Sequence, residues 1–108
     1  LMADPALLLL DEPAAGLDLA GREDLVDRLA DLAADRSGPP IVLVTHHTEE
    51  IPGGFTHAML LADASVVVAG PIEEVIDEAT LSETFGLPLR LERRDGRWLS
   101  WSPRRTGG

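Results

Sequence analysis

Asp11 and Glu12 stand side by side directly after four leucines, Leu7 to Leu10. Thr45 and His46 directly follow a second apolar run, Ile41 to Val44. One carboxylate of such a pair can hold a hydrated divalent cation while the other orients or deprotonates a water. An imidazole brought beside them can donate to a phosphate oxygen. Together these groups suit nucleotide hydrolysis; the acidic pair alone suggests only a metal or a water to be activated. His46 and His47 point apart on a strand, His57 lies across a loop, and cysteine is absent, which argues against a histidine metal centre. Ser65 and Ser82 have no nucleophile-elbow context.

These groups need two strands to carry them. Four leucines without alternation read as a buried parallel strand with both faces covered, and so does Ile41 to Val44. A buried helical turn competes with the first reading, but Pro13 stops helical continuation there. In open α/β sheets, ligands bind beyond the carboxyl ends of strands, which is where both polar groups fall. Between the strands, Asp18 is placed as the N-cap of a helix running to about residue 36. Leu25, Leu29, Leu32 and Ala33 give that helix an apolar stripe, and Asp24 with Arg28 a favourable i,i+4 pair. Ser37-Gly38-Pro39-Pro40 ends it. The unit is βαβ.

Beyond His47 comes a short acidic turn with Glu49 and Glu50, broken at Pro52-Gly53-Gly54. His57 to Leu61 and Ser65 to Ala69 are expected to pair as a hairpin, without a glycine for a two-residue type I′ turn. Gly70-Pro71 launches a helix to about Glu78, and Thr80 to Phe85 forms another, closed by Gly86. Leu87 to Trp101 alternates around Asp95-Gly96, a strong hairpin signal that puts Leu87, Leu89, Leu91 and Trp98 on one face and Arg90 opposite Trp101. Ser102 to Gly108 is expected to fray.

Composition narrows the function classes. The 108 residues carry a formal charge of −10, which argues against a nucleic-acid-coating surface. Residues 1–89 hold 17 acidic side chains against 3 arginines, whereas residues 90–108 hold 2 against 6, so the tail is a different piece. Absent cysteine fits a reducing compartment. No run approaches the roughly 18–20 apolar residues of a membrane span. All nine basic side chains are arginine; there is no lysine.

At this point the spacing of the motifs carries a resemblance. Leu7 to Glu12 resembles the Walker B motif of ABC-type ATPases, Pro13 and Ala15-Gly16-Leu17-Asp18 the proline and D-loop after it, and Val44-Thr45-His46 the H-switch. The stretch Gly70-Pro71-Ile72-Glu73-Glu74-Val75, after a hairpin, resembles the end of a transporter's ATP-binding subunit. The resemblance implies that Asp11 binds Mg²⁺, that Glu12 is the catalytic base and that His46 senses the γ-phosphate of ATP. It also implies that Asp18, with Gly16, acts at the nucleotide across a head-to-tail dimer. It implies a second nucleotide-binding domain and a transmembrane permease as partners. The location implied is cytoplasmic and peripheral at the inner membrane face, with membrane contact only through the permease and no nucleic acid.

A phosphate-binding loop of the G-x-x-x-x-G-K-[ST] type needs a lysine, so this chain holds none. Leu1 to Pro5 resembles the segment after the family's signature helix. The expectation is therefore a fragment: residues 1–86 as the C-terminal part of the nucleotide-binding domain, 87–102 as a hairpin extension and 103–108 as a disordered tail. The fold expected is α/β, a partial P-loop NTPase core with parallel strands, then antiparallel strands, short helices and the terminal hairpin. The function expected is part of the ATP-hydrolysing, energy-coupling subunit of an ABC transporter, inactive alone. The competing classes are a soluble ABC-type ATPase acting on ribosomes or DNA, and a non-catalytic remnant. Ala15-Gly16 stands where the ribosomal branch carries Asn-His, and no long coiled coil suggests a DNA-repair relative.

Overall fold

Pro13 and the pair Pro39-Pro40 cut the first part of the chain into strand, helix and strand. A computed structural model describes residues 7–103 apart from Ala64; the expected fraying over 104–108 and the reading of Leu1 to Pro5 lie outside the described residues. The chain divides into two compact units. The first runs to Phe55 and includes Asp95–Arg97; the second comprises Thr56–Arg94 and the chain from Trp98.

In the first unit β1 (Leu8–Asp11) and β2 (Ile41–Val44) pair in parallel, Leu8 opposite Ile41 and Asp11 opposite Val44. The 16-residue α1 (Leu19–Ala34) connects them. Its start is set by Asp18, whose side chain accepts from Gly21 N at 2.8 Å, and its end by Asp35, whose carboxylate accepts from the Ser37 backbone and hydroxyl. Those Ser37 bonds hold the Asp35 carboxyl below its usual range. The apolar stripe is narrower than its spacing suggests: Val26 and Leu29 are buried, while Leu32 is 47% exposed. Asp24 and Arg28 form the expected pair at 2.8 Å.

Burial on both strand faces is not observed. Leu8 and Leu10 are half-buried, but Leu9 is 60% exposed, and Val42 and Val44 on β2 follow the same alternation. With two strands in this sheet, the described residues cover one face only.

The second unit is built on the antiparallel pair β3 (His57–Ala62) and β4 (Ser65–Pro71). Ala62 pairs with Ser65, so the connection is two residues long despite lacking glycine, and Asp63 takes the positive φ of 52° itself. A register shift at Leu60/Leu61 marks a bulge. The helix after Gly70-Pro71 is shorter than expected. α2 (Ile72–Val75) ends before Asp77, which caps α3 (Glu78–Phe85) by accepting from Thr80 N at 2.8 Å. A residue committed to capping a new helix cannot continue the old one. Gly86 closes α3 in the left-handed conformation at φ 73°. Ile72, Val75, Ile76, Leu81 and Trp98 form the buried core.

The tail hairpin is present as β5 (Arg90–Arg94) and β6 (Arg97–Trp101). Asp95 and Gly96 both have positive φ, 51° and 77°, as a type I′ turn requires. The cation–π partnership differs from expectation. The Arg93 guanidinium lies 4.1 Å from the Trp98 ring centre and pairs with Glu73, whereas Arg90 turns toward Glu78. Trp98 is the buried tryptophan and Trp101 the exposed one, so stacking follows the ring that the core holds still.

Candidate functional site

The parallel ladder extends one residue beyond β1, where Glu12 N donates to Val44 O at 2.8 Å. This bond ties the Glu12 backbone to the end of β2. Glu12 has φ 49°, a left-handed conformation that costs a non-glycine residue on the order of 1 kcal/mol or more. There the chain leaves the strand for two successive turns, Ala15 N to Glu12 O and Leu17 N to Ala14 O. Ala14 is buried between them, and Gly16 supplies φ 83° with open space around it. The chain then enters α1 through the Asp18 cap.

β2 ends in a tightly bonded turn. The Thr45 hydroxyl donates to Glu50 Oε1 at 2.6 Å and accepts from His47 N at 3.1 Å. Glu50 is buried, and this bond compensates its carboxylate. Residues Thr48–Glu50 form a 3₁₀ turn that the bond anchors to the strand end. His46 therefore projects from a fixed backbone.

His46 Nδ1 and Glu12 Oε1 are hydrogen-bonded. A carboxylate can only accept, so the imidazole donates through Nδ1. His46 is 83% exposed along its side chain and Glu12 29%, which sets the carboxylate inward of the ring. The bond joins residues 34 apart in sequence, at the ends of two adjacent strands. Asp11, also exposed, ends β1 one residue before Glu12. Gly16 lies on the wall of an open cleft of 360 Å³, with Glu12, Arg22, His47, Glu49 and Glu50 also lining it. Asp18 does not line the cleft; its carboxylate is occupied by the helix cap.

Among the described residues, no three His, Cys, Asp or Glu side chains gather as a metal cage. The donor chemistry fits a Mg²⁺ ion that keeps several waters and takes one carboxylate plus substrate phosphates, because Asp11 is a solvent-facing carboxylate at a strand end.

Sequence reasoning missed two residues, Glu23 and Arg97, that bond next to the cleft-lining Arg22 and Glu49. Arg97 Nη1 and Nη2 donate to the two Glu23 carboxylate oxygens at 2.8 and 3.0 Å, and Nη2 also donates to the Glu49 backbone oxygen. The Arg97 hydrogen bonds lower the Glu23 carboxyl to about 2 against the opposing effect of burial, helped by the charges of Arg97 and Arg22. Glu23 in turn raises the Arg97 pKa. The only advance signal was the change of charge sign in the tail, which names no partner.

No family model matches the chain. It is 44% identical over 91 residues to the ABC transporter ATP-binding protein YlmA of Bacillus subtilis, covering 84% of this chain and 34% of that protein. It is 35% identical over 91 residues to an ABC transporter ATP-binding protein of Streptococcus mutans, covering 84% and 35%. It is 42% identical over 83 residues to the ABC transporter ATP-binding protein ModF of Escherichia coli, covering 77% and 16%. The chain thus spans about a third of the length of the first two. Its fold is similar to a solved chain of a metal-chelate type ABC transporter in an inward-facing conformation, with TM-score 0.65 and 24% identity over 89% of this chain and 39% of that one.

Proposed function

Because the chain is homologous to a segment of ABC transporter ATP-binding proteins, we propose that it supplies the water-activating half of an ATP-hydrolysing site. The observation that carries this reading is the Glu12–His46 hydrogen bond at the carboxyl ends of two parallel strands. Glu12 orients the attacking water and takes its proton, while His46 keeps the carboxylate in place. With Nδ1 engaged by Glu12, a His46 hydrogen bond to the γ-phosphate falls to Nε2, which donates when the ring carries a proton on both nitrogens. Asp11 holds Mg²⁺, which when bound offsets charge on the phosphate oxygens. Gly16 leaves the D-loop backbone open toward a nucleotide bound across a dimer, and Asp18 acts there by fixing the loop at its helix cap.

The lysine that would neutralise the β- and γ-phosphates is not in these 108 residues, so turnover belongs to a longer polypeptide that includes a phosphate-binding loop. In that setting residues 1–86 complete the nucleotide-binding domain and residues 87–102 extend it. The partners are a second nucleotide-binding domain and a transmembrane permease, and the location is the inner face of the membrane. In the chain itself no helix among the described residues is long and apolar enough to cross a membrane. In the full gene product, Glu12→Gln should cut steady-state ATP turnover at least about a hundredfold, the lower range for losing a general base, while ATP still binds. Turnover that survives the substitution refutes the base assignment.

A further inference from the structure

This inference rests on the reading of Glu12 and His46 just given. Arg97 grips two segments that are far from it in sequence. Its two Nη groups meet the Glu23 carboxylate as a fork at 2.8 and 3.0 Å, and Nη2 reaches the Glu49 backbone oxygen as well. Glu23 sits in α1, next to Arg22 of the cleft wall and five residues after the Asp18 cap. Glu49 sits in the 3₁₀ turn, between Glu50, which is bonded to Thr45, and the residues that follow His46. One guanidinium therefore joins the helix that leaves the Gly16–Asp18 loop to the turn that leaves His46. The Glu12–His46 bond ties the residues just before these segments, Glu12 ahead of the loop that enters α1 and His46 ahead of the 3₁₀ turn.

We propose that Arg97 is a positioning residue for the Glu12–His46 pair, clamping the helix after Asp18 to the turn after His46 so that the imidazole and the carboxylate stay in register. Three details favour a positioning role over an incidental surface ion pair. The Arg97 side chain is only 24% exposed, and its Nε is buried without a partner, a desolvation that a freely moving surface arginine avoids. The contact is a two-pronged arginine–carboxylate pair, which fixes orientation as well as distance. And because Glu23 stays ionised well below neutral pH, the clamp is closed throughout the working range and does not act as a pH switch. Lysine cannot replace it, since a point ammonium lacks the planar fork that meets both carboxylate oxygens and the carbonyl together.

The test uses Arg97→Ala, Arg97→Lys and Glu23→Gln in the full gene product, with Glu12→Gln alongside. Arg97→Ala and Arg97→Lys should each lower kcat about fivefold or more while KM for ATP stays within about twofold, because Arg97 is placed to orient the pair and not to bind nucleotide. Glu23→Gln should lower kcat in the same direction by less, since the carbonyl bond survives. In the 108-residue chain, the His46 Cε1–H resonance should move in Arg97→Lys relative to wild type, a readout that needs no nucleotide and that serves if Arg97→Ala does not fold. Wild-type kcat in folded Arg97→Lys together with an unmoved His46 resonance overturns the positioning role. If turnover is lost in Glu12→Gln but intact in both Arg97 variants, the clamp alone is refuted; turnover that survives Glu12→Gln refutes the underlying reading instead.

Discussion

The Glu23–Arg97 pair makes a prediction about acid stability that can be worked through. Glu23 has its carboxyl lowered from 4.5 to about 2 in the folded chain. A depressed carboxyl stabilises the fold above its unfolded value and loses that contribution as pH falls through the folded one, because the unfolded chain takes up the proton first. The window is therefore about pH 4.5 down to about 2. Taken at face value, the shift is worth about 3 kcal/mol at 1.36 kcal/mol per unit. The Glu23 side chain is 44% exposed, so solvent and salt screen the pair, and about 1 kcal/mol is the appropriate expectation. Glu23→Gln should thus lower stability by about 1 kcal/mol at pH 7, or roughly 4 °C in Tm. It should also flatten the decline of urea midpoint between pH 5 and about 2 relative to wild type. The carboxyls of Asp35 and Asp77 are also lowered, by Ser37 and by the Thr80 amide, but they titrate in both proteins and cancel in the comparison. Equal midpoints for wild type and Glu23→Gln at both ends of that range would refute the reasoning.

Two further outcomes probe the packing. Leu81 is 3% exposed in the core of the second unit, so Leu81→Ala should cost about 2–3 kcal/mol in urea unfolding; a cost below about 1 kcal/mol would mean that the site collapses around the cavity. Leu9 is 60% exposed, so Leu9→Gln should change the stability of the 108-residue chain by less than about 0.5 kcal/mol, and a larger loss would show that this strand face is covered after all.

What was legible in the sequence is what acts over a few residues. Asp18 caps α1 because its carboxylate reaches an amide three residues on, and Asp95-Gly96 turns because both residues tolerate positive φ. The strand–helix–strand order and the placing of Asp11, Glu12 and His46 at strand ends follow from apolar runs and proline punctuation. The end of α2 was misplaced because Asp77 can cap or continue a helix, and only the folded backbone decides. Arg93, not Arg90, stacks on tryptophan because the core buries Trp98, which the alternation of the hairpin cannot reveal.

The amino-acid sequence by itself determined that an Asp-Glu pair and a histidine would stand at the ends of two strands separated by a capped helix, since periodicity and capping are local properties of the chain. Tertiary structure alone decided that Glu12 and His46 would bond across 34 residues, that one face of β1 would stay open, and that Arg97 would close on Glu23 across 74. Such pairs leave no periodic trace, because the energy that selects them appears only when distant segments are already side by side.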